Sequence, residues 1–181
     1  MNTVTNPVIA LVLPCYNEEQ ILPLTARKLA SELQRLVDSG LVSAQSKIVF
    51  VDDGSCDSTW SLIEQLSAGD SVFAGIKLAR NYGHQYALYA GLMETEADAL
   101  ISLDADLQDD VAVIEKMVTS FRAGSEIVYG VRNNRESDTR VKRYTAAAHY
   151  WLLSKMGIET VPDHADFRLM SRRAVNFLGE Y

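Results

Sequence analysis

Ala99-Leu100-Ile101-Ser102-Leu103-Asp104-Ala105-Asp106-Leu107-Gln108-Asp109-Asp110 is a short apolar run that stops abruptly on closely spaced carboxylates. Such a run reads as a buried strand that delivers its carboxyl end to solvent. Asp104 and Asp106 stand two positions apart, so in extended chain their side chains leave the same face. Two carboxylates about 4 Å apart repel by roughly 4 kcal/mol at an effective dielectric of about 20. A divalent cation removes that cost. Mg²⁺ or Mn²⁺ suits the donors, because hard ions of this kind take carboxylate oxygens together with water and substrate phosphate rather than a full protein cage. The competing reading is an acidic strand-to-helix turn whose aspartates only cap the next helix.

Working outward, apolar runs recur along the chain and most are followed by a helical pattern. That alternation predicts an α/β fold, a mainly parallel sheet covered by helices on both faces. Val8–Leu13 is the first expected strand, ending at Pro14. Asn17 and Glu18 are expected to open a helix with Leu22, Leu29, Leu33 and Leu36 on one stripe and Pro23 in its first turn. Ile48–Val51 and Val72–Leu78 are the next strands, with helices near Ser58–Leu66 and through Ala87, Ala90 and Gly91. After the opening stretch, Ile114, Met117, Val118 and Phe121 repeat at helical spacing. Ile127–Tyr129 is the fifth strand, closed by Gly130. A basic segment, Arg132–Arg143, then leads toward a helix with Tyr144, Tyr150, Trp151 and Leu152. The last segment carries Asp166-Phe167-Arg168-Leu169 and a short helix around Arg172–Leu178.

Composition narrows the function classes. A chain of 181 residues can bury a core without a disulfide or zinc staple, and the whole of 1–181 reads as a single domain. A net charge of −7 argues against a nucleic-acid partner, which needs a basic surface. Cys15 and Cys56 lack metal-ligand spacing and read as small buried hydrophobes. No apolar stretch approaches a membrane span.

In an open parallel sheet ligands bind beyond the carboxyl ends of the strands, where loops and helix N-termini converge. The polar clusters fall there: Pro14–Glu18, Asp52–Asp57, Arg80 with Asn81, Asp104–Gln108, and Arg132. Ser55 and Asp57 also have a simple explanation as helix caps. Neither GxGxxG nor GxxxxGK[ST] is present to hold phosphates, which leaves that work to a metal. With Asp104 and Asp106 on a cation and a diphosphate, Asp53 is placed to accept hydrogen bonds from a base or ribose. The ligand expected is a nucleoside diphosphate carrying a further group.

Pro14-Cys15-Tyr16-Asn17-Glu18, Val51-Asp52-Asp53-Gly54-Ser55 with Asp57 and Thr59, Leu103-Asp104-Ala105-Asp106-Leu107-Gln108, Gly130-Val131-Arg132 with Arg135, and Asp166-Phe167-Arg168-Leu169 with Arg172 occur in the order seen in glycosyltransferase family 2. Within it the chain most resembles the polyprenyl-phosphate glycosyltransferases, of the dolichol-phosphate mannose synthase and bactoprenol glucosyltransferase type. The resemblance implies a GT-A fold, a Rossmann-like nucleotide half merged with an acceptor half. It implies that Pro14, Tyr16, Glu18 and Asp53, with Arg80 and Asp104, bind the nucleotide. Asp104, Asp106 and Gln108 would form the metal and diphosphate site, Asp106 as the direct ligand. Arg132 would face the acceptor phosphate, Asp166 matches the carboxylate usually proposed as base, and Arg168 would lie close to the diphosphate.

The implied reaction is inverting hexosyl transfer from a UDP- or GDP-linked sugar, with Mg²⁺ or Mn²⁺, to a polyprenyl phosphate. A saccharide hydroxyl is the alternative acceptor. Implied partners are the nucleotide-sugar donor, the lipid phosphate and the membrane surface, with homo-oligomerisation left open. Family members continue into an interface helix and membrane-spanning helices. The resemblance therefore implies a catalytic domain without its anchor, the whole protein working at the cytoplasmic face of the membrane in making cell-envelope polysaccharide. The chain departs from the family at Asp110, where proline is common.

Other classes fit less well. A haloacid-type phosphatase wants its nucleophilic Asp on the first strand, where Pro14–Glu18 stands. A receiver-type signalling domain could use Asp52, Asp53 and Asp104 as its acidic pocket, but it needs a lysine closing the fifth strand, where Gly130-Val131-Arg132 stands. A nucleotidyltransferase should show a glycine- and lysine-rich loop after the first strand.

Overall fold

The computed structural model describes residues 5–106, 108, 110–131 and 164–180, with backbone alone at 131 and 164–166. Arg132, Arg135 and the helix expected through Tyr144–Leu152 lie outside the described residues.

Six strands form one sheet: β1 (Ile9–Cys15), β2 (Lys47–Asp52), β3 (Phe73–Lys77), β4 (Ala99–Ser102), β5 (Ile127–Val131) and β6 (His164–Ser171). Their order is β3-β2-β1-β4-β6-β5. The first four run parallel, as the alternation of runs and helices predicts. β6 is the departure. It is antiparallel to both neighbours and inserted between β4 and β5, with Ser102 opposite Arg168 on one side and Tyr129 opposite Arg168 on the other.

The helices are α1 (Leu22–Asp38), α2 (Thr59–Gly69), α3 (His84–Glu94), α4 (Val113–Arg122) and α5 (Arg172–Leu178). Alternation along β1 builds two cores. Ile9, Leu11, Leu13 and Cys15 pack with the α1 residues Leu22, Leu29, Leu33 and Leu36 and with Ile63 of α2 and Met117 of α4. Ala10 and Val12 pack on the opposite face with Leu88 and Leu92 of α3 and Val175 of α5. The sheet is therefore covered on both sides, which is why its central strands read as continuous apolar runs. α3 lies unusually close to the sheet at Gly91, where an added Cβ would come within 2.5 Å of Val12 Cγ1 and 2.6 Å of Val51 Cγ2.

Two boundary differences from the sequence expectation bear on the site. β1 runs through Pro14 to Cys15 instead of ending at Leu13. Val12 gives its carbonyl to Leu103 N on the β4 side and Cys15 gives its carbonyl to Asp53 N on the β2 side. By alternation Pro14 faces β4, whose pairing with β1 has already ended at Ser102, so its missing N–H costs no ladder bond. α1 starts at Leu22, not at Asn17 or Glu18. Asn17 has φ 56°, outside the right-handed helical region. The backbone N–H groups of residues 17–19 are donated to side chains of the β2–α2 loop instead.

The cysteines divide. Cys15 is buried, and burial followed by the charges of Glu18 and Asp52 pushes its thiol up, so it stays a neutral thiol as expected. Cys56 is exposed, because it sits on the loop after β2 and not in the core.

Candidate active site

The chain proceeds from β1 toward β2 and β3 on one side and resumes at β4 on the other, so the strand order reverses between β1 and β4. The crevice beyond the carboxyl ends at such a switch point is where open α/β sheets bind ligands. Here it is a cleft of about 380 Å³ lined, among the described residues, by Pro14 and Glu18 after β1, His84 at the start of α3, and Asp104, Ala105 and Asp106 after β4. A larger hollow of about 740 Å³ opens at the other edge of the sheet, among Val8, Gln34, Lys47, Asp70 and Glu96. It receives nothing from the carboxyl ends of the strands and none of the acidic motifs.

The acidic turn after β4 is held from below. Thr25 of α1 is fully buried and donates its hydroxyl to the Ala105 carbonyl at 2.6 Å, fixing the residue between the two aspartates. Asp106 is exposed, and its Oδ1 accepts the Gln108 backbone N–H at 3.0 Å. Asp104 is half-buried, with His84 Nε2 3.6 Å from its Oδ1. Asp110 makes a turn just before α4: its Oδ1 accepts Ala112 N at 3.0 Å and its carbonyl accepts Val113 N at 3.0 Å. The N-cap of α4 is Ala112 and has no side-chain cap, so neither Asp104 nor Asp106 caps the helix, and both stand on the cleft.

Glu18 reports the field there. Its carboxyl is pushed above the usual range, first by burial and then by the negative charges of Asp106, Asp57 and Asp104. Three same-sign side chains around one cleft favour a cation. Among the described residues no three Asp, Glu, His or Cys side chains converge on a ready-made cage. An oxygen-only, incomplete donor set fits a hard divalent ion that keeps water and takes substrate phosphate, and Asp104 and Asp106 are the residues that would hold it.

The loops after β1 and β2 are interlocked by side-chain-to-backbone bonds. Asn17 N donates to Ser55 Oγ at 2.9 Å, Glu18 N to Thr59 Oγ1 at 2.8 Å, and Cys56 N to Asn17 Oδ1 at 2.9 Å. Ser55 is thus a loop tie, not a cap. Asp57 does both, accepting Thr59 N at 3.0 Å at the start of α2 and Glu19 N at 3.2 Å across the gap. Burial pushes the Asp57 carboxyl up, but the hydroxyl and N–H of Thr59 with the N–H of Glu19 outweigh it and hold it below its ordinary value.

The other expected nucleotide residues fall outside the cleft lining. Asp53 is 2% exposed, and its two oxygens accept Tyr82 N and Gly83 N, each at 2.8 Å, so it ties the end of β2 to the β3–α3 loop. Tyr16 is 46% exposed on the loop after β1. Arg80 is exposed and places its guanidinium over the Tyr82 ring, 4.8 Å from the centroid. Gln108 is exposed and meets Asp106 through its backbone. Arg168 lies on β6 opposite Ser102, with Nε buried and unbonded among the described residues. Asp166 precedes it on β6, at the end of that antiparallel strand nearest the carboxyl end of β4.

Thr25 and His84 are the residues sequence reasoning missed. Thr25 interrupts an otherwise apolar stripe of α1, and a polar residue at a core position is the signal for a buried bond. His84 directly follows the loop Arg80-Asn81-Tyr82-Gly83, just beyond the polar cluster at Arg80 and Asn81. Thr25→Val is expected to lower stability by about 1–3 kcal/mol, because the Ala105 carbonyl loses its buried donor. Chemical denaturation checks this; an unchanged midpoint would remove Thr25 from the account.

The parallel 3-2-1-4 half, the antiparallel insertion and the acidic turn at the switch point define a GT-A fold, the architecture of nucleotide-sugar-dependent glycosyltransferases. The antiparallel β6 also sets the sheet apart from the receiver-type arrangement. The chain belongs to glycosyltransferase family 2: the sequence model described as "Glycosyl transferase family 2" matches residues 10–178. It is 46% identical over 179 residues to the uncharacterized glycosyltransferase YkoT of Bacillus subtilis (strain 168), covering 98% of this chain and 53% of that protein. It is 38% identical over 168 residues to the bactoprenol glucosyl transferase of Shigella phage SfX, covering 92% of this chain and 53% of that one. The chain thus spans about half the length of these relatives. A crystal structure of glucosyl-3-phosphoglycerate synthase from Mycobacterium tuberculosis, in complex with Mn²⁺, UDP and phosphoglyceric acid, shares the fold at TM-score 0.62 and 22% identity, over 92% of this chain and 56% of that one.

Proposed function

We propose that the chain is the catalytic part of an inverting glycosyltransferase that moves a hexose from a UDP- or GDP-linked donor to a polyprenyl phosphate at the cytoplasmic face of a membrane, with Mg²⁺ or Mn²⁺. The observation that carries the reading is the meeting of Glu18, Asp104 and Asp106 on one cleft at the β1–β4 switch point. The SfX relative's name supports the lipid acceptor, and the Mn²⁺ and UDP of the M. tuberculosis enzyme support the donor and the ion. Among the described residues no helix is long and apolar enough to cross a membrane, so the proposed membrane contact rests on the relatives.

Asp104 and Asp106 would hold the divalent cation, which when bound would offset the charge that builds on the departing diphosphate. The protein's own work is positional. Thr25 holds the Ala105 carbonyl and the Gln108 N–H holds Asp106 Oδ1, so the acidic turn is already shaped when the donor arrives. Attack from the face opposite the diphosphate inverts the anomeric carbon. A lipid phosphate is largely ionised near pH 7 and needs no base, so Asp166 then serves to orient Arg132 or Arg168. Both arginines offer the forked geometry suited to phosphate.

The test is transfer of labelled sugar from UDP-glucose or GDP-mannose, with Mn²⁺, to undecaprenyl phosphate in vesicles. Labelled lipid is the expected product; label entering only a soluble saccharide would contradict the acceptor and make Asp166 a general base. Arg132→Ala is expected to lower lipid transfer by at least about tenfold while donor affinity changes by less than about twofold, the signature of a contact made to the acceptor alone. Equal losses in both would contradict that role.

A further inference from the structure

From His84 to Met93, helix α3 contains no Asp, Glu, Lys or Arg. Ala87, Leu88, Gly91 and Leu92 are its buried positions against the sheet, which turns Tyr86, Tyr89 and Met93 directly away from the core. Tyr86 is 69% exposed and Tyr89 45%, and Tyr82 in the preceding loop is 48% exposed. By contrast α1 presents Arg27, Lys28, Arg35 and Asp38 to solvent, as a surface helix ordinarily does. α5 ends against the same surface of α3: a Cβ added at Gly179 would meet the Met93 methyl, and Phe177 and Leu178 just before it are both exposed. The exposed parts of these aromatic side chains amount to roughly 400 Å², a patch of the size that marks an interaction site. We infer that this face is a homodimer interface, in which α3 packs antiparallel on α3 of a second copy across a twofold axis.

Charge selects that partner. Arg80 is exposed at the amino end of α3, and Glu94 and Glu96 are exposed at its carboxyl end. The helix has eleven residues and is about 16 Å long, so two copies laid antiparallel bring Arg80 of each toward Glu94 and Glu96 of the other. The patch is therefore complementary to itself, as an isologous contact requires. Its tyrosines and Met93 meet near the axis, an uncharged aromatic centre inside a charged rim, which is the composition of protein interfaces. A membrane fits less well. Residues 81–93 offer no Lys or Arg and the chain carries a net charge of −7, whereas an anionic leaflet draws basic residues. A standard interface buries about 800 Å² on each copy and this patch supplies about half of that, so the dimer is expected to be reversible. Tyr86, Tyr89 and Met93 do not line the cleft, so the dimer stands apart from the proposed transfer reaction.

The experiment is sedimentation velocity of the chain over a micromolar concentration series, repeated on Tyr86→Glu, on Arg80→Glu, on Glu94→Arg and on Arg80→Glu combined with Glu94→Arg. The parent is expected to pass from monomer to dimer as concentration rises. Tyr86→Glu is expected to raise the dissociation constant at least about tenfold, because it sets two like charges near the axis. Each charge reversal alone is expected to weaken the dimer, and the combined variant to associate more tightly than either, since opposite signs face each other again. If Tyr86→Glu fails to fold, the charge series decides alone. A parent that stays monomeric throughout, or a folded Tyr86→Glu with the parental constant, would overturn the inference. A combined variant no tighter than the single ones would overturn the antiparallel arrangement. Flotation with vesicles of anionic lipid addresses the other occupant: monomer that binds them and loses that binding in Tyr86→Glu would make the face a membrane contact, and the inference would fall.

Discussion

Asp106→Asn is expected to lower sugar transfer by about 10²–10³-fold, a barrier increase of about 3–4 kcal/mol, while leaving the fold intact. Asparagine keeps Oδ1 as acceptor for the Gln108 N–H, so the turn after β4 should hold its shape. Asp106 is also exposed, and surface changes of this kind usually alter stability by less than about 0.5 kcal/mol. What is lost is one negative charge where a cation must sit against a diphosphate. The loss should appear as a weakened dependence on Mn²⁺ concentration as well as in rate. A variant with parental rate, or with parental response to chelator, would show that the carboxylate does not serve the metal.

Gly54→Ala is expected to cost about 2–5 kcal/mol in stability, the largest single effect on folding in this account. Gly54 has φ +70°, a left-handed conformation that a Cβ disfavours, and the added carbon would lie 2.5 Å from Arg80 C and 2.6 Å from Asn81 N. Those are backbone atoms, which cannot step aside as a side chain can. For a domain of this size each kcal/mol moves the melting temperature by about 2–4 °C, so a drop of about 5–15 °C is expected in a thermal melt. The strain falls on the seam between the β2–α2 and β3–α3 loops, so diphosphate affinity should fall with it. A melting temperature within about 1 °C of the parent would mean that the two loops are not packed as described.

The strand ends were the legible part of this protein. Continuous apolar runs marked β1, β2 and β4 because a sheet covered on both faces needs no polar alternation, and the acids that stop those runs mark the carboxyl edge. β6 was not legible as a strand. Its alternation of Asp166, Phe167, Arg168 and Leu169 does carry a period of two, but its place between β4 and β5 depends on pairing Ser102 with Arg168 across a long separation, which no local pattern contains. At α1 the sequence places the helix start too early, since Asn17 and Glu18 look like a cap and in fact tie two loops together.

The same distinction runs through the site. Asp104, Asp106, Glu18 and Pro14 were read from their positions after strands, and those four line one cleft. The backbone partners of Asp53, Tyr82 and Gly83, are set by how two loops meet and leave no mark in its sequence neighbours. Thr25 and the Ala105 carbonyl meet for the same reason. A side chain's address at a strand end is local information; which backbone groups it must satisfy is tertiary.

Anomalous scattering from manganese, in a crystal of the chain grown with Mn²⁺ and UDP or GDP, tests the central claim most directly. The account predicts a single strong peak at the carboxylates of Asp104 and Asp106, bridged to the nucleotide's diphosphate. A nucleotide bound at the β1–β4 crevice with no manganese on those aspartates, or manganese held elsewhere, would contradict it.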